Sequence, residues 1–281
     1  MSFESQEREL RELCGSLMRD GIADVILGFG ERSSVSGVAV PITVKRPEDA
    51  GRLSWNPRCV PSLARYTAGR SGVVALVAKP CDARAVSALI AERQLERKNI
   101  YIIGMECAGM TDEDGLPLVA CAECSSRRAP IFDSEITGAR EVSSCASRQS
   151  EGTNSADRFR REMDKCILCF SCRQACYACY CETCFFDRGV PNWQPSAPGV
   201  SAKMIYHLGR AMHLAGRCVE CGACENVCAS GVNVRYLIKA VTDFIDREYG
   251  FRSGMDTSSL PALQSYSPDD GEPGFWGKDY E

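Results

Sequence analysis

No apolar run in this 281-residue sequence approaches the about eighteen residues that a membrane-crossing helix needs. The N-terminal stretch MSFESQERELRELCGSLMRD is charged throughout and lacks the apolar core of a secretion signal, so the expected location is the cytoplasm. There is no basic excess. The formal net charge is -4, residues 251–281 carry six acidic and two basic side chains, and the rest balances at 31 and 31, which argues against a nucleic-acid partner. Histidine is scarce: His207 and His213 are the two in the chain, both in KMIYHLGRAMHLAGRC. Six residues apart, they share a helix face poorly and read as packing or surface residues, or as hydrogen-bond partners of a neighbouring group. No serine–histidine–acid set and no paired-carboxylate motif stands out, so no catalytic residue is expected. GFGERSSVSG, around Gly28 and Gly30, matches a phosphate-binding loop only loosely and reads better as a turn.

Cysteine, by contrast, is abundant, at eighteen residues. Thiol buffers in the cytoplasm keep pairs reduced, so cysteines in a spaced pattern point to metal rather than to disulfides. Cys166, Cys169, Cys172 and Cys176 are spaced Cys-x2-Cys-x2-Cys-x3-Cys, and Cys218, Cys221, Cys224 and Cys228 repeat that spacing in CVECGACENVC. Three thiolates on one tight loop reach three irons of a cubane, and the fourth points to the neighbouring cluster. Two copies therefore imply two [4Fe-4S] clusters with crossed ligation. Cys166, Cys169, Cys172 and Cys228 would hold one, and Cys218, Cys221, Cys224 and Cys176 the other. A structural zinc takes four ligands, commonly as two Cys-x2-Cys pairs, and fits this doubled run badly. The proline that usually follows the fourth cysteine is replaced by Tyr177 and Ala229; it supplies no ligand.

Cys179, Cys181 and Cys184 follow the first run too closely to share its cubane. They read as buried thiols beside the clusters, with a further metal site or an open redox pair as the alternative. Earlier in the chain lie Cys59, Cys81, Cys107 and the Cys-x2-Cys pair Cys121 and Cys124. Cys81 and Cys107 each follow an apolar strand-like run, which places them at the carboxyl edge of a parallel sheet, where sites form. Cys107, Cys121 and Cys124, with either Cys59 or Cys81, form a candidate third site for a [4Fe-4S] cluster or zinc. Cys14 and Cys145 are isolated and read as structural.

The pattern along the chain gives two units. SQERELRELCGSLM has helical spacing. SGVVALVAKP, then CDARAVSALIAERQLERK, then NIYIIGMEC read as strand, helix, strand, a parallel crossover. Residues 1–125 are therefore expected to form an α/β domain. Residues 126–157 read as a linker, 158–250 as an α+β dicluster ferredoxin-like domain ending in the helix VRYLIKAVTDFIDREYG, and 251–281 as a flexible tail, whose Phe275, Trp276 and Tyr280 could dock on a partner.

AKPCDARAVSALIAERQLERKNIYIIGMECAGM followed by CAEC resembles a segment of the iron–sulfur proteins grouped with deazaflavin-dependent hydrogenase and formate dehydrogenase beta subunits. CILCFSCRQACYACYCETCFFD and HLGRAMHLAGRCVECGACENVC resemble the dicluster ferredoxin domain of related redox subunits, including sulfhydrogenase beta and anaerobic sulfite reductase A subunits. The resemblance spans roughly residues 20–250. It implies an electron-transfer subunit of an anaerobic oxidoreductase complex rather than a stand-alone enzyme. The implied partners are formate dehydrogenase, hydrogenase or heterodisulfide-reductase-like subunits, or a ferredoxin. In the deazaflavin enzymes the ferredoxin segment precedes the flavin domain, whereas here it follows, and no flavin signature is evident, so a bound flavin is not expected. Two alternatives remain: a flavin-containing reductase subunit that oxidises a deazaflavin, nicotinamide or ferredoxin donor, and a metal-stapled scaffold or redox sensor.

Overall fold

The computed structural model describes residues 3–31, 37–139, 155–187 and 199–264. Its first half is a mixed α/β layer built on a five-stranded sheet. Helix α1 (Phe3–Arg19) turns Leu10, Cys14 and Leu17 inward, one apolar stripe at helical spacing. Strand β1 (Val25–Glu31) follows and pairs antiparallel with β2 (Ala39–Val44). Gly28 and Gly30 lie inside β1 opposite Ile42 and Val40, neither in a phosphate loop nor in a turn. A Cβ at Gly28 would come within 2.5 Å of Leu53 Cδ2, so close packing explains the glycine.

The expected crossover is present. Strand β3 (Val74–Ala78) is buried at every position, as a central strand covered on both faces must be. It leads through helix α2 (Pro80–Ala91), with Pro80 in the first turn, to β4 (Ile100–Met105), which pairs parallel with β3. A short helix α3 (Val119–Ala122) and a strand β5 (Ser134–Ile136) complete this half. The sheet order is β2-β1-β3-β4-β5, parallel except for the β1–β2 edge. Strand β5 lies in the segment expected to be linker. At three residues it carries no alternation to read, and only its pairing with β4 defines it. Residues 140–154, including Cys145, lie outside the described residues.

Among the described residues the second half contains helices and no strand, where an α+β unit was expected. Helices α4 (Ser155–Lys165), α6 (Val200–His213) and α8 (Val234–Tyr249) frame two single-turn helices, α5 (Ser171–Gln174) and α7 (Ala223–Asn226), that lie against each other. Helix α8 is capped at both ends. The Asn233 side chain accepts from the Tyr236 amide, and Gly250 turns left-handed at the C-terminus.

Helix α2 is buried nearly all round because its two faces serve different layers. One packs on the sheet. The other carries Arg84, whose Nε and Nη2 donate to Ser253 O at 3.1 and 2.9 Å, and Ser87, whose hydroxyl donates to Asp256 O at 2.6 Å. Residues 251–264, expected as the start of a flexible tail, are thus held on the first half. At Gly254, whose φ is +74°, a Cβ would collide with the Arg84 carbonyl. The tail residues Phe275, Trp276 and Tyr280 lie outside the described residues. Among the described residues, no helix is long and apolar enough to cross a membrane.

Candidate metal centres

The two cysteine runs adopt the same backbone path. In the first, Leu168 and Phe170 have left-handed φ of 53° and 59°; in the second, Glu220 and Gly222 have φ of 59° and 72°. These are the same two positions of the motif. Among the described residues four non-glycine side chains sit at positive φ, and three belong to these loops, the fourth being Arg93. Such a conformation costs free energy for Leu, Phe and Glu, so the fold over-determines it. Its effect is to curl each loop around its own sulfurs. The Leu168 amide donates to Cys166 Sγ at 3.4 Å and the Glu220 amide to Cys218 Sγ at 3.3 Å, again at matching positions. Single-turn helices then carry Cys172 and Cys224 away from each loop.

The pairing of α5 with α7 exchanges the fourth cysteine of each run. Cys166, Cys169 and Cys172 line one cavity together with Cys228 from the other run, and Tyr206 and His207 close its side. The His207 ring Nε2 lies 3.4 Å from Cys166 Sγ. Burial, followed by the charge of Arg210, pushes His207 down to about 4. Cys218, Cys221 and Cys224 form the second group, with Cys176 from the first run. Burial dominates there, raising Cys218 to about 11 and Cys224 to about 12, and Cys176 adds to the rise at each. Cys172 also acts electrostatically on Cys224, so the two groups approach each other at that pair. All seventeen described cysteines are free thiols. Among the described residues, no three His, Cys, Asp or Glu side chains close on a point as the ligands of one metal ion would.

Arg210, on α6, tests whether these groups fit an anionic cluster. Its side chain is 3% exposed. Nη2 donates to Cys172 O at 3.0 Å, while Nε and Nη1 have no hydrogen-bond partner among the described residues. Burial works against its charge, yet Cys176, Cys179, Cys224 and Cys172 around it outweigh that and raise its pKa. A guanidinium does not deprotonate in a protein, and a buried cation without a counter-charge is very costly. Neutral thiols supply no counter-charge. Thiolates on an iron–sulfur core do, so the residues present fit that group.

The first-half set is less compact. Cys81 opens α2 directly after β3, and Cys107 follows β4, so both stand at the carboxyl edge of the sheet as expected. Cys81, Cys121 and Cys124 line one cavity, and Cys221 of the second run lines it too. Cys107 is buried beside them. Desolvation raises it to about 11, Cys121 and Cys124 act on it, and the Gly109 amide donates to its sulfur at 3.4 Å. Cys59 is fully buried and does not line that cavity. It receives the Asn56 amide at 3.4 Å and donates to Ser54 O at 3.8 Å within its own loop. Lys79, whose charge acts on both Cys59 and Cys107, is 3% exposed, in an ion pair with Asp82 at 2.9 Å and 4.4 Å from the Phe29 ring centre.

Cys179, Cys181 and Cys184 are not the buried thiols expected: Cys181 is exposed and the other two half-buried, and all three line a wider cavity with Arg65, Arg173 and His213. Cys179 donates to Cys176, which holds the Cys176 thiol well below its ordinary value. Cys14 is buried in the core under α1. Sequence reasoning missed Arg210 and Lys79. Arg210 carried one faint signal, its position three residues after His207 on a single helix, which puts both on the face towards the cysteines.

No family model matches the chain. It is 27% identical over 109 residues to the F420-dependent formate dehydrogenase subunit beta of Methanocaldococcus jannaschii, a match covering 39% of this chain and 28% of that protein. It is 30% identical over 112 residues to the F420-dependent formate dehydrogenase 1 subunit beta of Methanococcus maripaludis, covering 40% of this chain and 28% of that one. The match thus spans little more than a quarter of the length of either relative.

Proposed function

We propose that this chain is an iron–sulfur electron-transfer subunit of a multi-subunit oxidoreductase, with two [4Fe-4S] clusters held by crossed ligation. The observation that carries this reading is the duplicated loop. Two four-cysteine runs share the same left-handed positions, the same amide-to-sulfur bonds and an exchanged fourth cysteine. Cys166, Cys169, Cys172 and Cys228 hold one cluster; Cys218, Cys221, Cys224 and Cys176 hold the other. When bound, the clusters supply one-electron transfer, and the protein supplies their spacing, burial and local charge.

The first-half cysteines extend this arrangement. Cys81, Cys107, Cys121 and Cys124 form a third centre, and Cys81 is favoured over Cys59 because it shares a cavity with Cys121 and Cys124. Cys221 borders that cavity, and Cys224 neighbours Cys172. The three groups therefore lie in series, from the sheet edge through the second run to the first. A serial arrangement suits a chain that takes electrons from one partner subunit and gives them to another. The similarity to formate dehydrogenase beta subunits supports redox subunits as those partners. Free thiols throughout the described residues fit a reducing, cytoplasmic setting.

The experiment is a count of iron and acid-labile sulfide per chain on anaerobically purified protein, with zinc and flavin assayed on the same sample. About eight irons mean two cubanes, and about twelve place a third at the sheet edge. Stoichiometric zinc without iron overturns the reading. Released flavin would turn it towards a flavin-containing reductase.

A further inference from the structure

We propose that Arg210 is a fixed positive charge shared by the two cysteine groups, which raises the reduction potential of both. This rests on the cluster reading above and deepens it. The geometry is specific. Arg210 projects from α6 into the junction between the two groups. It donates to the carbonyl of Cys172, a residue of the first group, and faces Cys176 and Cys224 of the second. Among the described residues no carboxylate pairs with it. The neighbouring arginines differ: Arg173 is paired with Asp187 at 2.8 Å and Arg217 with Glu92 at 2.6 Å. Those pairs are close to electrically neutral and contribute little field. Arg210 alone among the three presents an unneutralised charge, and it does so at 3% exposure, where water screens it least.

The chemistry follows from the charge balance of a one-electron step. A single electron enters from a reduced partner subunit or a one-electron reductant. No bond is made or broken at the protein, no proton is required, and the cluster gains one negative charge. A cation beside the ligand sulfurs stabilises the more negative state, so reduction becomes easier. Because Arg210 lies beside both groups, it stabilises an added electron on either one. The guanidinium is the suitable cation for this place, since it stays charged when buried and a lysine ammonium titrates more readily.

The test is a mediated redox titration followed by electron paramagnetic resonance on anaerobically purified protein. It compares wild type, Arg210→Gln, Arg210→Lys and, as a charge-neutral control, the double variant Arg173→Gln, Asp187→Asn, with iron counted in each. In Arg210→Gln both potentials should fall, by at least about tenfold in the equilibrium constant for reduction, or ~59 mV for a one-electron couple. Arg210→Lys should recover most of the difference, and the double variant Arg173→Gln, Asp187→Asn, which removes a neutral pair, should move little. Unchanged potentials in an iron-loaded Arg210→Gln variant would overturn the inference and leave the cluster reading intact. Absence of iron in the wild type would sink the cluster reading itself. Should Arg210→Gln fail to load iron, Arg210→Lys decides: full loading near wild-type potentials supports a role for the charge, and equal failure shows that the side chain serves shape alone.

Discussion

Arg217 and Glu92 meet as a two-pronged ion pair across the two halves of the chain, Nε to Oε1 at 2.8 Å and Nη2 to Oε2 at 2.6 Å. Glu92 caps the end of α2, and Arg217 lies just before the second cysteine run. Tyr180, from the segment after the first run, donates its hydroxyl to Glu92 Oε2 at 2.5 Å. One carboxylate thus ties both cysteine-bearing loops to the sheet layer. The pair is 10% and 3% exposed, so each charge depends on the other for its solvation. Glu92→Ala is expected to cost ~3–5 kcal/mol in urea unfolding of the iron-loaded protein, because it strands a buried guanidinium. The double variant Glu92→Ala, Arg217→Met should cost less than the sum of the two single changes. Additive costs would show that the pair is not coupled.

Crossed ligation has an arithmetic signature. Cys228 and Cys166 come from different runs but line one cavity. Cys228→Ser should therefore remove the same cluster as Cys166→Ser, and the double variant should lose no more iron than either single one, keeping about four irons of the two-cluster pair. If each run closed on its own cluster, the double variant would lose both. Iron analysis separates the two cases, and Cys181→Ser, outside both groups, should keep the full count.

Much of this was legible in the sequence because cysteine spacing and strand periodicity are local. The β3–α2–β4 crossover sits where SGVVALVAKP, CDARAVSALI and NIYIIGMEC place it. The two four-cysteine runs announce their loops by spacing alone. What escaped was non-local. Strand β5 is too short to show a period, and residues 251–264 have the composition of a tail yet are held by contacts to α2 from more than 160 residues away in sequence. Arg210 reads as an ordinary polar position of an amphipathic helix. Only the fold shows that its face points at thiols and, among the described residues, at no carboxylate.

The choice between Cys59 and Cys81 was undecidable from spacing alone. In the structure Cys59 satisfies its sulfur within its own loop, through Asn56 and Ser54, whereas Cys81 faces the cavity shared by Cys121 and Cys124. Cys81→Ser should therefore lower the iron count from about twelve to about eight, and Cys59→Ser should leave it unchanged. The reverse pattern would make Cys59 the fourth residue of the third centre. A Cys59→Ser variant should still lose some stability, since a hydroxyl replaces a sulfur that is buried in an apolar setting.

Residues 251–264 offer a test in which charge and sterics are separable. Asp256 receives the amides of Ser258 and Ser259 at 2.8 and 2.6 Å, and its own carbonyl accepts from Ser87. The hydrogen bonds from Ser259 and Ser258 hold its carboxyl down at about 2. The sign follows from linkage. A carboxyl whose folded value lies below its ordinary 3.8 favours the docked state above that value, and the contribution fades as pH falls from there towards 2. At neutral pH Asp256→Ala should mimic the protonated limit and speed amide exchange across 251–264. The effect should be modest, because the carboxylate is exposed to solvent. Gly254→Ala acts differently. Its φ of +74° and the Arg84 carbonyl beside it leave no room for a methyl group, so this variant should undock the segment at every pH. Exchange measured by mass spectrometry on both variants tells the two apart. If Gly254→Ala leaves exchange in 251–264 at the wild-type rate, the segment is not held by the face of α2 that carries Arg84 and Ser87.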